Sequence, residues 1–193
     1  MIKLSAVVQL IDGFTGRPVV ALTVSFLLNG KPVAAQEKQQ AFYAFSDLDD
    51  GQYSLKIICH KSLFLDQEVK LQVPLSEPLV DAIMVVTMLP GPAYPYPPGT
   101  TLIAGQVVAA RQQPLPGVEV MANYQTARAN AKTTSTLSFW EGRHAGCFTL
   151  ALLGNLAPQS AVKLSFSKPG LKSVQKNVTV QSGTMQCVHV EMQ

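Results

Sequence analysis

The sequence predicts an all-β chain of two antiparallel β-sandwich modules in tandem. Three observations predict it. Apolar and polar residues alternate with period two through most of the chain, the mark of half-buried strands. Clusters of Gly, Pro, Asn and Asp interrupt that alternation at short intervals. Residues 90–98, Pro-Gly-Pro-Ala-Tyr-Pro-Tyr-Pro-Pro, carry five of the 13 prolines and separate two halves of similar pattern. Proline fixes φ and lacks a donor, so this stretch is neither helix nor central strand. It is expected to be a short, stiff, extended connector. The division is a first module over 1–89, a Pro/Tyr-rich connector over 90–101 and a second module over 102–193.

In the first module Leu4, Ala6, Val8 and Leu10 alternate with polar residues, and a turn follows over Asp12-Gly13-Phe14-Thr15-Gly16-Arg17-Pro18. Leu22, Val24, Phe26 and Leu28 form the next apolar face, closed by the hairpin dipeptide Asn29-Gly30. Phe42 to Phe45 is a short strand. Asp47-Leu48-Asp49-Asp50-Gly51 turns into Tyr53, Leu55, Ile57 and Cys59. Leu65, Val69, Leu71 and Val73 oppose Asp66, Glu68, Lys70 and Gln72, which should face solvent. Residues 80–89 are more uniformly apolar and predict a strand buried on both faces.

The second module repeats the order. Residues 102–109 predict a strand, Gln112 to Gly117 a turn, and Val118, Val120 and Ala122 a further strand. Residues 125–145 are polar and irregular and predict a long loop or a ragged hairpin. Phe148, Leu150 and Leu152 resume the alternation, followed by Val162, Leu164 and Phe166 and the turn Lys168-Pro169-Gly170. Val174, Val178 and Val180 predict one more strand, and Val188, Val190 and Met192 the last. No segment offers sustained helical periodicity with caps.

Composition narrows the function classes. Charged residues make up 14% of the chain, well below the usual quarter, which suggests much covered surface. The first 89 residues carry a net charge of −2 and the remainder +5. That mild basic excess, without interleaved aromatics, gives no reason to expect a nucleic-acid partner. Residues 82–110 are uncharged, but prolines and glycines cut any spanning helix there, so no membrane partner is expected either. Met1-Ile2-Lys3-Leu4-Ser5 does not open a signal peptide, so the chain is expected to be cytoplasmic when made. Three cysteines at irregular spacing indicate no disulfide framework.

One resemblance emerges from the turns. Gly105-Gln106-Val107, Pro114-Leu115-Pro116-Gly117-Val118-Glu119-Val120, Gly146-Cys147-Phe148-Thr149-Leu150 and Leu164-Ser165-Phe166-Ser167-Lys168-Pro169-Gly170 follow one another in order. This set resembles the carboxypeptidase regulatory-like, or transthyretin-like (prealbumin-like), domains, whose fold is an Ig-like sandwich. The first half is similar in Asp12 to Val19 and in Leu48 to Leu55. Ala109, Gln112 and Leu171 depart from the family's Asp, Gly and aromatic. The resemblance implies a non-catalytic accessory or assembly domain. Leu89 to Pro97 followed by Gly99 to Gly105 also looks like a connector of phage-tail-like contractile particles, which implies incorporation into a particle.

Candidate chemistry is sparse. Cys187, His189 and Glu191 share one face of a strand, and His144 with Cys147 would add ligands for Zn²⁺, but a single Cys-x-His lacks the paired motif of a zinc site. No metal or other cofactor is therefore expected. Cys59 and His60 point to opposite faces of a strand, and Cys59 falls in phase with the core, so neither is expected to be catalytic. Asp47, Asp49 and Asp50 lack the calcium-loop spacing and suit a turn. Lys163, Lys168, Lys172 and Lys176, with Arg128 and Arg143, suggest a solvated basic face. The binding candidates are Phe139, Trp140 and Arg143 in the long loop and Tyr94 and Tyr96 in the connector, because interfaces favour aromatics with Arg. The chain is thus expected to be no enzyme. It is expected to be a structural or adaptor protein acting through a protein partner or self-association, with low-charge edge strands inviting β-augmentation. A carbohydrate- or surface-binding module, and more remotely a transthyretin-like hydrolase, stay open.

Overall fold

The structure, a computed structural model, describes residues 3–19, 22–74 and 82–193. The chain divides into two compact units, Met1–Ala93 and Tyr94–Gln193. In the first unit the strands are β1 (Leu4–Asp12), β2 (Val24–Leu28), β3 (Lys31–Val33), β4 (Gln36–Lys38), β5 (Phe42–Ser46), β6 (Gly51–Cys59), β7 (Gln67–Val73) and β8 (Ile83–Met88). They form two sheets, β4-β5-β1-β8 and β3-β2-β6-β7. In the second unit they are β9 (Leu102–Val108), β10 (Glu119–Gln125), β11 (Ala131–Leu137), β12 (Cys147–Ala151), β13 (Gln159–Ser167), β14 (Val174–Gln181) and β15 (Met185–Glu191). Their sheets are β12-β9-β15 and β11-β10-β13-β14. Apart from the extra β4, the two units have one topology. The fold is all-β, a sandwich repeated in tandem.

Pairing is antiparallel except at one place in each unit. There the last strand lies parallel to the first, β8 on β1 from Val7↔Ile83 to Asp12↔Met88, and β15 on β9 from Leu102↔Met185 to Val108↔Glu191. Two parallel neighbours need a long crossover, and here the rest of the unit supplies it.

Alternation places the cores where the sequence predicts. In the first unit Val8, Leu10, Phe45, Leu55, Ile57, Val73 and Met88 are buried. Phe26 reaches from one sheet to meet Tyr43 at 5.0 Å and Phe45 edge-on at 5.3 Å from the other. In the second unit Ile103, Val107, Val120, Leu150, Leu164, Phe166 and Val190 are buried. Phe148 and Phe166 meet edge-on across the sheets at 5.7 Å. Edge-to-face aromatic contacts of this kind add about 0.5–1.5 kcal/mol beyond area burial. Asn29 and Gly30 both have positive φ, 49° and 79°, which is the two-residue turn that matches strand twist and pins Leu28 opposite Lys31.

Three readings are sharpened or changed. Of the two alternatives for residues 125–145, the hairpin is the one formed over 131–137: β11 pairs with β10 over seven residues, from Glu119↔Leu137 to Gln125↔Ala131. Its Thr-rich run suits a strand, but only Thr136 is buried, so an edge strand with one wet face left no hydrophobic alternation to detect. The strand expected to be buried on both faces alternates instead: Val86 and Met88 are buried, whereas Val85 is 59% exposed. Residues 80 and 81 of that expectation lie outside the described residues. Finally, β4 was not anticipated, because Gln-Glu-Lys carries no apolar face.

Small residues sit opposite large ones beneath the central strands. Gly105 in β9 lies between Phe148 and Val188. A Cβ there would fall 1.8 Å from the Val188 carbonyl oxygen and 3.1 Å from the Phe148 ring. In the first unit Ala6 faces Phe45 in the same manner. Gly105→Ala is therefore expected to destabilise the second unit by about 1–3 kcal/mol through overpacking. Urea denaturation monitored by circular dichroism checks this, and an unchanged midpoint would refute it.

Candidate protein-interaction site

The loop after β11 is built from backbone bonds at both ends. Ser138, fully buried, donates its hydroxyl to the Leu115 carbonyl at 2.7 Å and accepts the Val118 N–H at 2.9 Å. Gly117 N–H donates to the Ser138 carbonyl at 2.9 Å. Phe139 N–H donates to the Cys147 carbonyl at 2.7 Å, and Gly146 N–H returns to the Phe139 carbonyl at 2.9 Å. Gly146 has φ 74°, and a Cβ on it would press on the Val107 carbonyl at 2.6 Å, so the closing position suits glycine. Between these ties, residues 140–145 stand out from the sandwich around a short 3-10 turn, Gly142–His144.

Trp140 rests on Gly117. A Cβ at Gly117 would lie 2.3 Å from Trp140 Cη2 and 2.6 Å from Cζ3, and Gly117 has φ 67°. The indole thus uses the missing side chain as its seat, yet 48% of Trp140 remains exposed. Phe139 is half-buried and meets the His144 ring edge-on at 6.4 Å, and Arg143 donates Nε–H to His144 Nε2 at 3.1 Å. The loop therefore gathers Phe139, Trp140 and Arg143 with His144. A held, half-exposed aromatic in a loop that also carries an arginine has the composition of an interface anchor. Tyr94 and Tyr96 form a second group: both are half-buried, with ring centroids 4.6 Å apart at 61°.

The other sequence candidates are engaged elsewhere. Cys187, His189 and Glu191 are exposed on β15, as the alternation predicts. His189 Nε2 pairs with Gln112 Oε1 at 3.1 Å. Cys147 lies two strands from His189 with Gln106 between. Among the described residues no three His, Cys, Asp or Glu side chains gather closely enough to hold a metal ion. Cys59 is buried, and its thiol is pushed up to about 12, first by that burial and then by the Asp66 carboxylate. His60 starts the turn after β6 and bonds Ser25 Oγ at 2.8 Å. Asp47 accepts the Lys3 N–H at 2.9 Å, Asp50 pairs with Lys3 Nζ at 3.3 Å, and the Asp49 carbonyl accepts the Tyr53 hydroxyl at 2.8 Å, so this cluster fastens a turn. Two of the basic residues are likewise used internally: Lys168 Nζ donates to the Pro116 carbonyl at 2.6 Å and Lys176 Nζ to the His189 carbonyl at 3.2 Å.

Sequence reasoning missed three residues that matter here. Ser138 and Gly117 hold the loop and its tryptophan. Tyr124 donates its hydroxyl to the Leu153 carbonyl at 3.0 Å and accepts the Leu153 N–H at 2.7 Å, and burial raises its pKa. The signal for Tyr124 was present: it continues the apolar phase of Val118, Val120 and Ala122, and a hydroxyl on that face needs a partner.

Two measurements test this site. Trp140 is the sole tryptophan, so its emission reports the loop alone. Gly117→Ala is expected to lift the indole off its seat and shift the emission to the red, and an unchanged spectrum would refute the seat. Thiolates, not thiols, are the nucleophiles, and burial raises the pKa of Cys147 as well as Cys59. At pH 8 the exposed Cys187 is expected to react first with a chromogenic disulfide, Cys147 more slowly, and Cys59 only on unfolding. Rapid labelling of Cys59 in the folded chain would overturn that order.

No family model matches the chain, and no curated protein matches it. Among solved structures it is similar to the TIE protein of Bacillus anthracis, with 10% identity and a TM-score of 0.35 over 98% of this chain and 34% of that one. It is similar to a streptococcal ancillary pilin at 12% identity and a TM-score of 0.33, over 100% of this chain and 63% of that one. The shaft pilin SpaA from Lactobacillus rhamnosus GG is similar at 8% identity and a TM-score of 0.36, over 99% and 98% of the two chains. The chain spans about a third of the first of these proteins and under two thirds of the second.

Proposed function

We propose that this chain is a non-enzymatic structural or adaptor protein that works through protein–protein contacts. One observation carries the reading: Trp140 is held on Gly117 and remains 48% exposed, in the loop that also carries Arg143. Holding an aromatic in place before binding lowers the entropy lost on association, so such a residue is suited to anchor a partner. The connector's likeness to those of phage-tail-like contractile particles suggests the setting, a component of such an assembly. The carbohydrate-binding alternative calls for coplanar exposed aromatics, whereas Tyr94 and Tyr96 in the connector meet at 61° and Phe139 in the loop meets the His144 ring at 82°. A hydrolase calls for converging histidines, whereas His60, His144 and His189 are engaged separately with Ser25, Arg143 and Gln112.

The reading is tested by light scattering on the purified chain and by pull-downs against co-expressed products of neighbouring genes. A defined multimer or a specific partner is expected. Trp140→Ala is expected to weaken a contact made through this loop by about thirtyfold, the size of a modest hot spot near 2 kcal/mol. A chain that stays monomeric and retains no neighbour would sink the proposal.

A further inference from the structure

Each of the four sheets ends in two edge strands, and an open edge is a template for pairing with another chain. Among the described residues, seven of these eight edges are blunted. β3 carries Lys31 and Pro32, β4 Glu37 and Lys38, and β7 Glu68 and Lys70. β11 carries Lys132, β14 Lys176, and β15 His189 and Glu191. β12 is uncharged, but the Phe139 N–H covers its Cys147 carbonyl. β8 has none of these devices: Ile83-Met84-Val85-Val86-Thr87-Met88 has no charge, proline or glycine.

The direction of its backbone groups follows from the pairing with β1. The Met88 carbonyl accepts the Gly13 N–H at 2.9 Å, so Met88, and with it Val86 and Met84, turns its backbone groups toward β1. In a parallel ladder alternate residues bond to one neighbour. Ile83, Val85 and Thr87 therefore present their N–H and C=O groups to the open side. All three are β-branched, which suits strand pairing. Their side chains stand on the outer face of the sheet, since Val8, Leu10 and Val86 face the core. That face continues through Val7, Gln9 and Ile11 on β1 and Ala44 on β5; it is apolar except for Gln9, which pairs with Val85 and donates its side-chain amide to the Gln40 carbonyl, and for Thr87.

We propose that β8 pairs antiparallel with β8 of a second copy about a twofold axis at Val85. The choice of a second copy rests on self-complementarity. The three outward residues are centred on Val85, so a twofold there sets Val85 against Val85 and Ile83 against Thr87 of the partner subunit. No like charges meet, and the two uncharged outer faces become one surface. A twofold interface of this kind closes on itself and leaves no further β8 edge open. This inference rests on the assembly reading above but uses a surface on a different unit from Trp140.

Cysteine cross-linking in a Cys147→Ser, Cys187→Ser background tests the register. Hydrogen-bonded antiparallel pairs have Cα atoms about 5.5 Å apart, within disulfide reach. Val85→Cys is therefore expected to form covalent dimer under mild oxidation. Thr87→Cys residues would lie about 13 Å apart across the axis and are expected to give at least about tenfold less. Val85→Lys is expected to return the uncross-linked chain to monomer mass in light scattering, with an unchanged circular dichroism spectrum. Equal cross-linking of the two variants, or none from Val85→Cys, would overturn the β8 pairing. If that occurs while a co-expressed neighbour still binds through Trp140, the assembly reading survives and only the second-copy inference falls.

Discussion

Each unit is organised around its first strand, which alone joins an antiparallel neighbour to a parallel one among the described residues. β1 carries β5 antiparallel on one flank and β8 parallel on the other, and β9 carries β12 and β15 in the same way. Because the last strand runs with the first, the chain enters a unit at one end and leaves it at the other. This pairing also means that each core closes only when the final strand arrives, so every unit depends on a contact between its most distant residues.

Such a central strand has little room. Gly105 has no side chain because the Val188 backbone and the Phe148 ring occupy the space, and Ala6 answers Phe45 in the other unit. The aromatic residues that fill those spaces then reach the opposite sheet, Phe148 to Phe166 and Phe45 to Phe26. Small beside large is the packing rule shared by the two units, met by different residues in each. Close-packed interiors constrain volume more tightly than residue identity.

The surface obeys a different logic. The loop carrying Trp140 is held by backbone bonds and by one buried hydroxyl, Ser138, so an exposed aromatic is kept in place without a core beneath it. Most sheet edges carry a charge or a proline that discourages pairing, and β8 stands apart from them. An aromatic anchor and an open edge offer two kinds of contact: one recognises a shape, the other extends a sheet.

By itself the sequence determined the strand alternation, the Asn29-Gly30 hairpin, the burial of residues such as Leu55, Ile57, Leu164 and Phe166, and the exposure of Cys187 and His189 on one face. These follow from a period of two, which is a local property of the backbone. It determined as well which aromatic residues were candidates for contact. For residues 125–145 the sequence left a loop and a ragged hairpin open, and only the tertiary structure decided that 131–137 form a strand, because a polar edge strand takes its order from the neighbour it pairs with rather than from its own apolar pattern. Only it seated Trp140 on Gly117, aligned β8 parallel to β1, and left Ile83, Val85 and Thr87 facing outward. Each of those facts joins residues far apart in the chain, and spacing within a single segment carries no information about which distant backbone will lie beside it.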